Sequence, residues 1–127
     1  NGTPFKVPGG GIRRAGGGGS CIFVGRCADY VLKERRDCLN LFISASIDDR
    51  IRRISASHNL TESKTKDIIE KTDKGRSAYY NYFTAKTWGA ADSYHLCINS
   101  SLLGIDGTVD LISRVAEKRF GISPRLP

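Results

Sequence analysis

The stretch 38–54, CLNLFISASIDDRIRRI, decides how the fold is read. Its first half is apolar at nearly every position rather than at alternate ones. A strand apolar on both faces belongs to a parallel sheet covered by helices. Its second half changes period. Ser46 stands where a helix N-cap is expected, Asp48 and Asp49 fall in the first turn, and Ile47, Ile51 and Ile54 recur at helical spacing. The stretch predicts a buried strand over 38–46 that runs straight into a helix over 46–58, with the three isoleucines inward.

The same alternation extends in both directions. CIFVG (21–25) predicts a short apolar strand, and ADYVLKERR (28–36) a short helix after it. Residues 60–88 start at Thr61 and end near Gly89. Their apolar stripe is thin, and they predict one or two helices with a break near Gly75. SYHLCINSS (93–101) predicts a third strand. Residues 104–121 predict a closing helix with Asp106 or Thr108 as cap, Val109, Ile112, Val115 and Phe120 inward, and Gly121 as stop. Strands alternating with helices give an α/β fold with a parallel sheet. Three strands make a thin sheet for this class.

Residues 1–19 differ in kind. The first 20 residues hold eight of the fourteen glycines. They show no apolar period and read as a flexible tail or linker. They do not make a phosphate loop, which needs a Lys and a Ser/Thr directly after its glycines. No apolar run reaches membrane-spanning length, and no apolar segment of a signal peptide opens these residues. A cytoplasmic protein with no membrane partner is the expectation. The four cysteines (Cys21, Cys27, Cys38, Cys97) form no CxxC pair and stand at no metal-ligand spacing from His58 or His95. Cys21 and Cys97 lie in apolar runs and read as small core residues of a reduced protein.

The net charge is +7. Residues 1–20 contribute +3 through Lys6, Arg13 and Arg14, and residues 46–90 another +3 from nine bases and six acids. A cation-rich middle segment fits an anionic ligand such as a phosphate or nucleotide, or else a solvated helix face. Three constellations stand out. Arg26 follows the apolar run 21–25 directly, and ligands of open α/β sheets bind at the carboxyl ends of strands. Its guanidinium matches phosphate oxygens. Asp29, three residues on, either accepts hydrogen bonds from a ligand or caps and pairs locally. Arg50, Arg52 and Arg53 follow the strand 38–46, with Arg50 and Arg53 on one helix face. Lys71, Lys74 and Arg76 lie within EKTDKGRSAYYNYF, with Asp73 among them. Two basic helix faces flanking a short loop could close over phosphates as a lid. The aromatics Tyr79, Tyr80, Tyr82, Phe83, Trp88 and Tyr94 read first as packing against the sheet, and second as stacking platforms for single-stranded nucleic acid.

CIFVGRCADYVL, LNLFISASIDDRIRRI, IIEKTDKGRSAYYNYFTAKTWG and YHLCINSSLLGIDGTVDLI, in this order and spacing, resemble the carboxyl-terminal two-thirds of the cytidylate kinase-like proteins. The resemblance spans about residues 19–121. It implies a P-loop NTPase-like three-layer fold, a parallel sheet flanked by helices, truncated at the amino terminus. Residues 20–127 would then form a partial nucleoside monophosphate kinase domain with a lid at about 60–88. It implies phosphoryl transfer from ATP to CMP or dCMP with Mg²⁺. Arg26, Asp29, Arg50 and Arg53 would bind substrate. Lys71, Lys74 and Arg76 would be catalytic cations that neutralise the transferring phosphoryl group. Gly75 and Ala78 depart from the more charged lid of the family. The family's Walker A lysine and Mg²⁺-binding hydroxyl have no counterpart in residues 1–127, so no motif present binds ATP or Mg²⁺, and impaired transfer is expected. Two other functions fit the residues: a non-catalytic nucleotide- or phosphate-binding module, and a nucleic-acid-binding protein. A sheet lacking the P-loop strand would expose edges and favour self-association as a homo-oligomer or a borrowed strand.

If Arg26 meets the substrate phosphate, Arg26→Ala abolishes mononucleotide binding in titration calorimetry and leaves the thermal unfolding midpoint nearly unchanged. A large fall in the midpoint with binding retained would make Arg26 structural.

Overall fold

The computed structural model describes residues 22–25 and 27–121. Its elements run α1 (Ala28–Val31), β1 (Leu41–Ser44), α2 (Ile47–His58), α3 (Glu62–Thr84), a 3₁₀ turn (Ala91–Ser93), β2 (Leu96–Asn99) and α4 (Ser100–Phe120). The strands β1 and β2 pair in parallel, Leu41 opposite Leu96 through Ser44 opposite Asn99. This is a mixed helix and strand architecture around a small two-stranded parallel sheet. Parallel neighbours cannot be joined by a tight turn. Here the crossover is α2 and α3, which pack on each other, while α4 packs against both strands.

Each face of the sheet has its own cover. Side chains alternate along a strand, so Phe42 stands on the face opposite Ile43 and Ile98. The Phe42 ring meets Trp88 edge-on at 5.2 Å and Tyr94 at 5.1 Å. A Cβ at Gly89 would come within 3.2 Å of it. Most of the aromatics expected to pack do so: Tyr80 stacks near Tyr94, and Tyr79 touches Phe83. Tyr82 is the exception at 81% exposure. Ile98, Ile69, Tyr80, Leu32 and Cys27 are the buried hydrophobic residues. At the amino end of the ladder, Asn40 O accepts from the backbone N–H groups of His95 and Leu96, and Asn40 N–H donates to His95 Nδ1 at 2.9 Å.

The helix 46–58 forms as read. Ser46 Oγ accepts from Asp49 N–H, Asp48 and Asp49 fill the first turn, and Asn59 ends the helix in the left-handed region. Its stripe is shallower than expected: Ile51 and Ile54 are half-buried and Ile47 is 40% exposed. Residues 60–88 form one helix, not two. Thr61 caps α3, which runs unbroken through Gly75 for 23 residues. A glycine weakens a helix but does not end one when its flanks are held. Buried Thr65 and Thr84 donate their hydroxyls to the carbonyls of Thr61 and Tyr80, four residues back. That is how a buried hydroxyl is satisfied inside a helix.

Other expectations are corrected. Residues 22–24 form no strand, and Ile22 and Val24 are 92% and 89% exposed. A strand exists only through a ladder, and β1 and β2 pair only with each other. The helix read at 28–36 is a single turn, α1, followed by a turn at 32–34. The closing helix read from Gly104 is preceded by one more helical turn, residues 100–103, which Asn99 caps by accepting from Ser101 N–H, and neither Asp106 nor Thr108 is a cap. Gly104 interrupts α4 between the two parts at φ 74°, ψ 176°, a conformation essentially restricted to glycine. Thr108 is instead buried, donating to Gly104 O at 2.6 Å. Ile112 and Val115 are half-buried, whereas Val109 and Phe120 are 43% and 37% exposed. Cys97 is exposed rather than a core residue, Cys27 is buried, and Cys21 lies outside the described residues, as does the tail 1–19. No helix among the described residues is long and apolar enough to cross a membrane.

Two glycines separate backbone strain from helix propensity. An added Cβ meets nothing within 4 Å at either Gly75 or Gly104. In chemical denaturation Gly75→Ala stabilises by about 0.5–1 kcal/mol, and Gly104→Ala destabilises by about 1–3 kcal/mol. Equal effects at the two sites would refute the bend.

Candidate functional site

The two strands run in the same direction, so both strand-to-helix junctions fall at one edge of the sheet. There the serines lace them together. Ser100 Oγ donates to Ser44 O at 3.0 Å, and Ser46 N–H donates to Ser101 Oγ at 2.9 Å. An open groove of about 390 Å³ lies over this carboxyl edge. Its walls include Asp49, Arg52 and Arg53 of α2 and Ser100, Ser101 and Gly104 of α4. Arg52 forms an ion pair with Asp49. The Ser101 hydroxyl and then Arg52 hold the Asp49 carboxyl below its usual range. Arg53 is exposed, and its guanidinium has no hydrogen-bond or ion-pair partner among the described residues. Chemically the groove offers the free Arg53 guanidinium beside the Arg52–Asp49 pair, with the hydroxyls of Ser100 and Ser101 engaged at the junctions, and a guanidinium at the carboxyl edge of parallel strands is suited to phosphate oxygens.

Beside the groove α2 is clasped to α3. Arg50 Nη1 donates to Asp73 Oδ2 at 2.6 Å and Nη2 to Oδ1 at 2.7 Å. The two side chains are 25% and 30% exposed. Arg50's hydrogen bonds first, then its charge and that of Arg76, hold the Asp73 carboxyl below its usual range. The same bonds raise the Arg50 guanidinium. The other ion pairs among the described residues lie within four positions in sequence. The clasp spans 23 positions and joins two helices.

The expected site residues are therefore not all in one place. Arg53 lines the groove. Arg50, expected on the same helix face, is turned to α3. Lys71, Lys74 and Arg76 stand exposed along the middle of α3, off the groove walls. Asp29 lies at the opposite edge of the sheet. It lines a smaller polar pocket with Lys33, Asn40 and His95, and it accepts from Tyr80 Oη at 2.7 Å. Burial and this carboxylate push the Tyr80 phenol up. Asp29 thus ties α1 to α3. Arg26 lies outside the described residues. The sequence reading missed Asp49, Ser100, Ser101 and the pairing role of Asp73. The one legible signal was Asp73 amid the cations of α3, since an acid among bases commonly marks a pair.

The clasp gives stability a pH dependence. Asp73's folded value is depressed, so its contribution is complete above the ordinary carboxylate range and disappears as pH falls through the lowered folded value. Asp73→Asn destabilises by about 1 kcal/mol at pH 7, a half-exposed pair being worth less than a buried one. The gap between the two proteins closes as pH falls through Asp73's lowered folded value, where Asp73 itself takes up a proton. A gap unchanged across urea titrations from pH 7 to the acid limit would remove the clasp as its cause.

With this geometry in place, the comparisons with known proteins are informative. The model of the cytidylate kinase-like family matches residues 10–102. Among solved structures, an uncharacterized protein from Eubacterium ventriosum is similar with a TM-score of 0.83 and 25% sequence identity. The similarity covers 87% of this chain and 63% of that one, so the chain spans under two-thirds of its neighbour's length. None of the curated proteins matches. The family match runs from the glycine-rich segment through β2 to the first turn of α4, across both walls of the groove. On that match the chain belongs to the cytidylate kinase-like family, whose members are kinase-like and nucleotide-binding.

Proposed function

We propose that residues 22–121 form the acceptor-binding and lid portion of a nucleoside monophosphate kinase, on a three-layer P-loop-type sheet. The reaction is ATP + CMP (or dCMP) to ADP + CDP (or dCDP). The observation that carries this reading is the groove, in which Arg52 and Arg53 face two strand-to-helix junctions at the carboxyl edge of the sheet.

In this reading Arg53, with Arg26 and Arg50, binds the phosphate of the mononucleotide. A guanidinium presents a planar fork to two phosphate oxygens. The segment about 60–88, which α3 fills, is the lid, and α2 leads into it. Lys71, Lys74 and Arg76 are its catalytic cations, exposed in this structure and brought to the phosphates by closure. Their charge neutralises the equatorial oxygens of the transferring phosphoryl group, since such catalysis is mostly positioning and electrostatics. Asp29 holds α1 in place through Tyr80 rather than touching the nucleotide.

An ATP phosphate site of the Walker A kind calls for a lysine directly after its glycines, and none follows the glycines of residues 1–19. The 127 residues by themselves bind mononucleotide and transfer phosphoryl groups poorly. The aromatic rings favour this reading over nucleic-acid binding, since Phe42, Trp88, Tyr80 and Tyr94 are engaged with one another.

The test is a titration of the ¹⁵N-labelled chain with CMP and then with ATP–Mg²⁺, followed by amide NMR. Saturable shifts at Ser46–Arg53 and Ser100–Ile105 are expected with CMP, and Arg53→Ala weakens them at least tenfold, about 1.4 kcal/mol. Shifts confined to the tail, or binding of any polyanion that vanishes with salt, would favour a nucleic-acid-binding protein.

A further inference from the structure

Arg50 is bound to a carboxylate in this structure, yet it stands one position from a groove shaped for phosphate. At 100° per residue it lies about 60° around α2 from Arg53, which lines the groove. Its fork is held end-on by both oxygens of Asp73. A carboxylate and a phosphate present the same pair of oxygens to a guanidinium, and Arg binds either bidentately. The clasp therefore occupies the donors that a phosphate in the groove would use.

We propose that Asp73 is an internal competitor for the phosphate of the nucleoside monophosphate, which takes Arg50 away from Asp73 on binding. The inference rests on the groove being the acceptor site. Three features make the exchange feasible. The incoming group carries nearly two negative charges and Asp73 one, so phosphate is the stronger partner. The exchange replaces one anion by another and leaves no half-buried guanidinium unpaired, a state that is costly. Asp73 also has a second cation to turn to, because Arg76 already acts on it from the next turn of α3. Since the clasp is the ion pair that joins α2 to α3 among the described residues, losing it frees the two helices to change their angle. Asp73 thus sets both the affinity for the phosphate and the resting position of the crossover.

The test compares wild-type protein and Asp73→Asn in calorimetric titrations with CMP and with cytidine, which lacks the phosphate. Removing the competing charge raises CMP affinity about 5- to 10-fold and leaves cytidine affinity unchanged. A purely structural clasp gives the opposite result, with CMP affinity unchanged or lowered, and that outcome overturns the proposal while the acceptor site stands. Absence of CMP binding by wild-type protein overturns both the proposal and the acceptor site. A second measurement needs no variant. The Arg50 side-chain ¹⁵N signals of wild-type protein move with CMP at the same saturation as the groove amides. Signals that stay fixed while the groove fills leave Arg50 on Asp73 and overturn the exchange.

Discussion

Parallel pairing of β1 with β2 is the constraint on which the rest depends. Two antiparallel strands would send their following helices to opposite ends of the sheet. Parallel strands send both to the same end, which is why Ser46 and Ser101 meet and why α2 and α4 wall one groove. The same constraint demands a long crossover, and the exposed cations Lys71, Lys74 and Arg76 lie on it. The serine contacts at the junction are short-range consequences of the strand register. A slip of one residue would turn Phe42 away from Trp88 and Tyr94 and misplace both junctions together.

The fold was legible where local signals and tertiary contacts agreed. Ser46 with Asp48 and Asp49 spells a helix start, and Gly121 a stop, because capping is a matter of adjacent residues. A parallel strand was legible within 38–46 because its apolar run leaves no polar face, but only Leu41–Ser44 enters the ladder, and it is half-covered rather than buried, with Ile43 53% exposed. Residues 22–25 carry a similar apolar composition yet form no strand. Hydrophobicity states that a segment prefers burial, whereas a ladder also needs a partner with free backbone groups, and no single segment encodes its partner. Gly75 misled for the opposite reason. Thr61, Thr65 and the clasp at Asp73 hold α3 on its amino-terminal side and Tyr80 and Thr84 on the other, so the glycine is spanned.

The site was legible as residue types and not as geometry. Arg53, which follows a strand in sequence, lines the groove at the carboxyl edge. Arg50 and Asp29 were placed by the same logic and proved to be engaged with partners 23 and 51 positions away. Side-chain pairing between distant elements leaves no periodic mark in a sequence. Leu102 and Ile105 show the converse. Both are apolar residues on a well-formed helix, yet they remain 80% and 59% exposed beside the groove. Their surroundings, and not their own sequence, decide whether they are covered.

The Tyr80–Asp29 contact has a consequence at the alkaline end of the scale. The folded chain keeps the Tyr80 phenol protonated where an unfolded chain would release its proton. Above the ordinary tyrosine range near pH 10, the unfolded chain binds fewer protons than the folded one, so stability falls as pH rises. Ionising Tyr80 would set a phenolate against the Asp29 carboxylate and part α1 from α3. Base therefore opens this protein from the edge of the sheet opposite the groove, and the ultraviolet absorbance of tyrosinate would report the opening as a late, cooperative step.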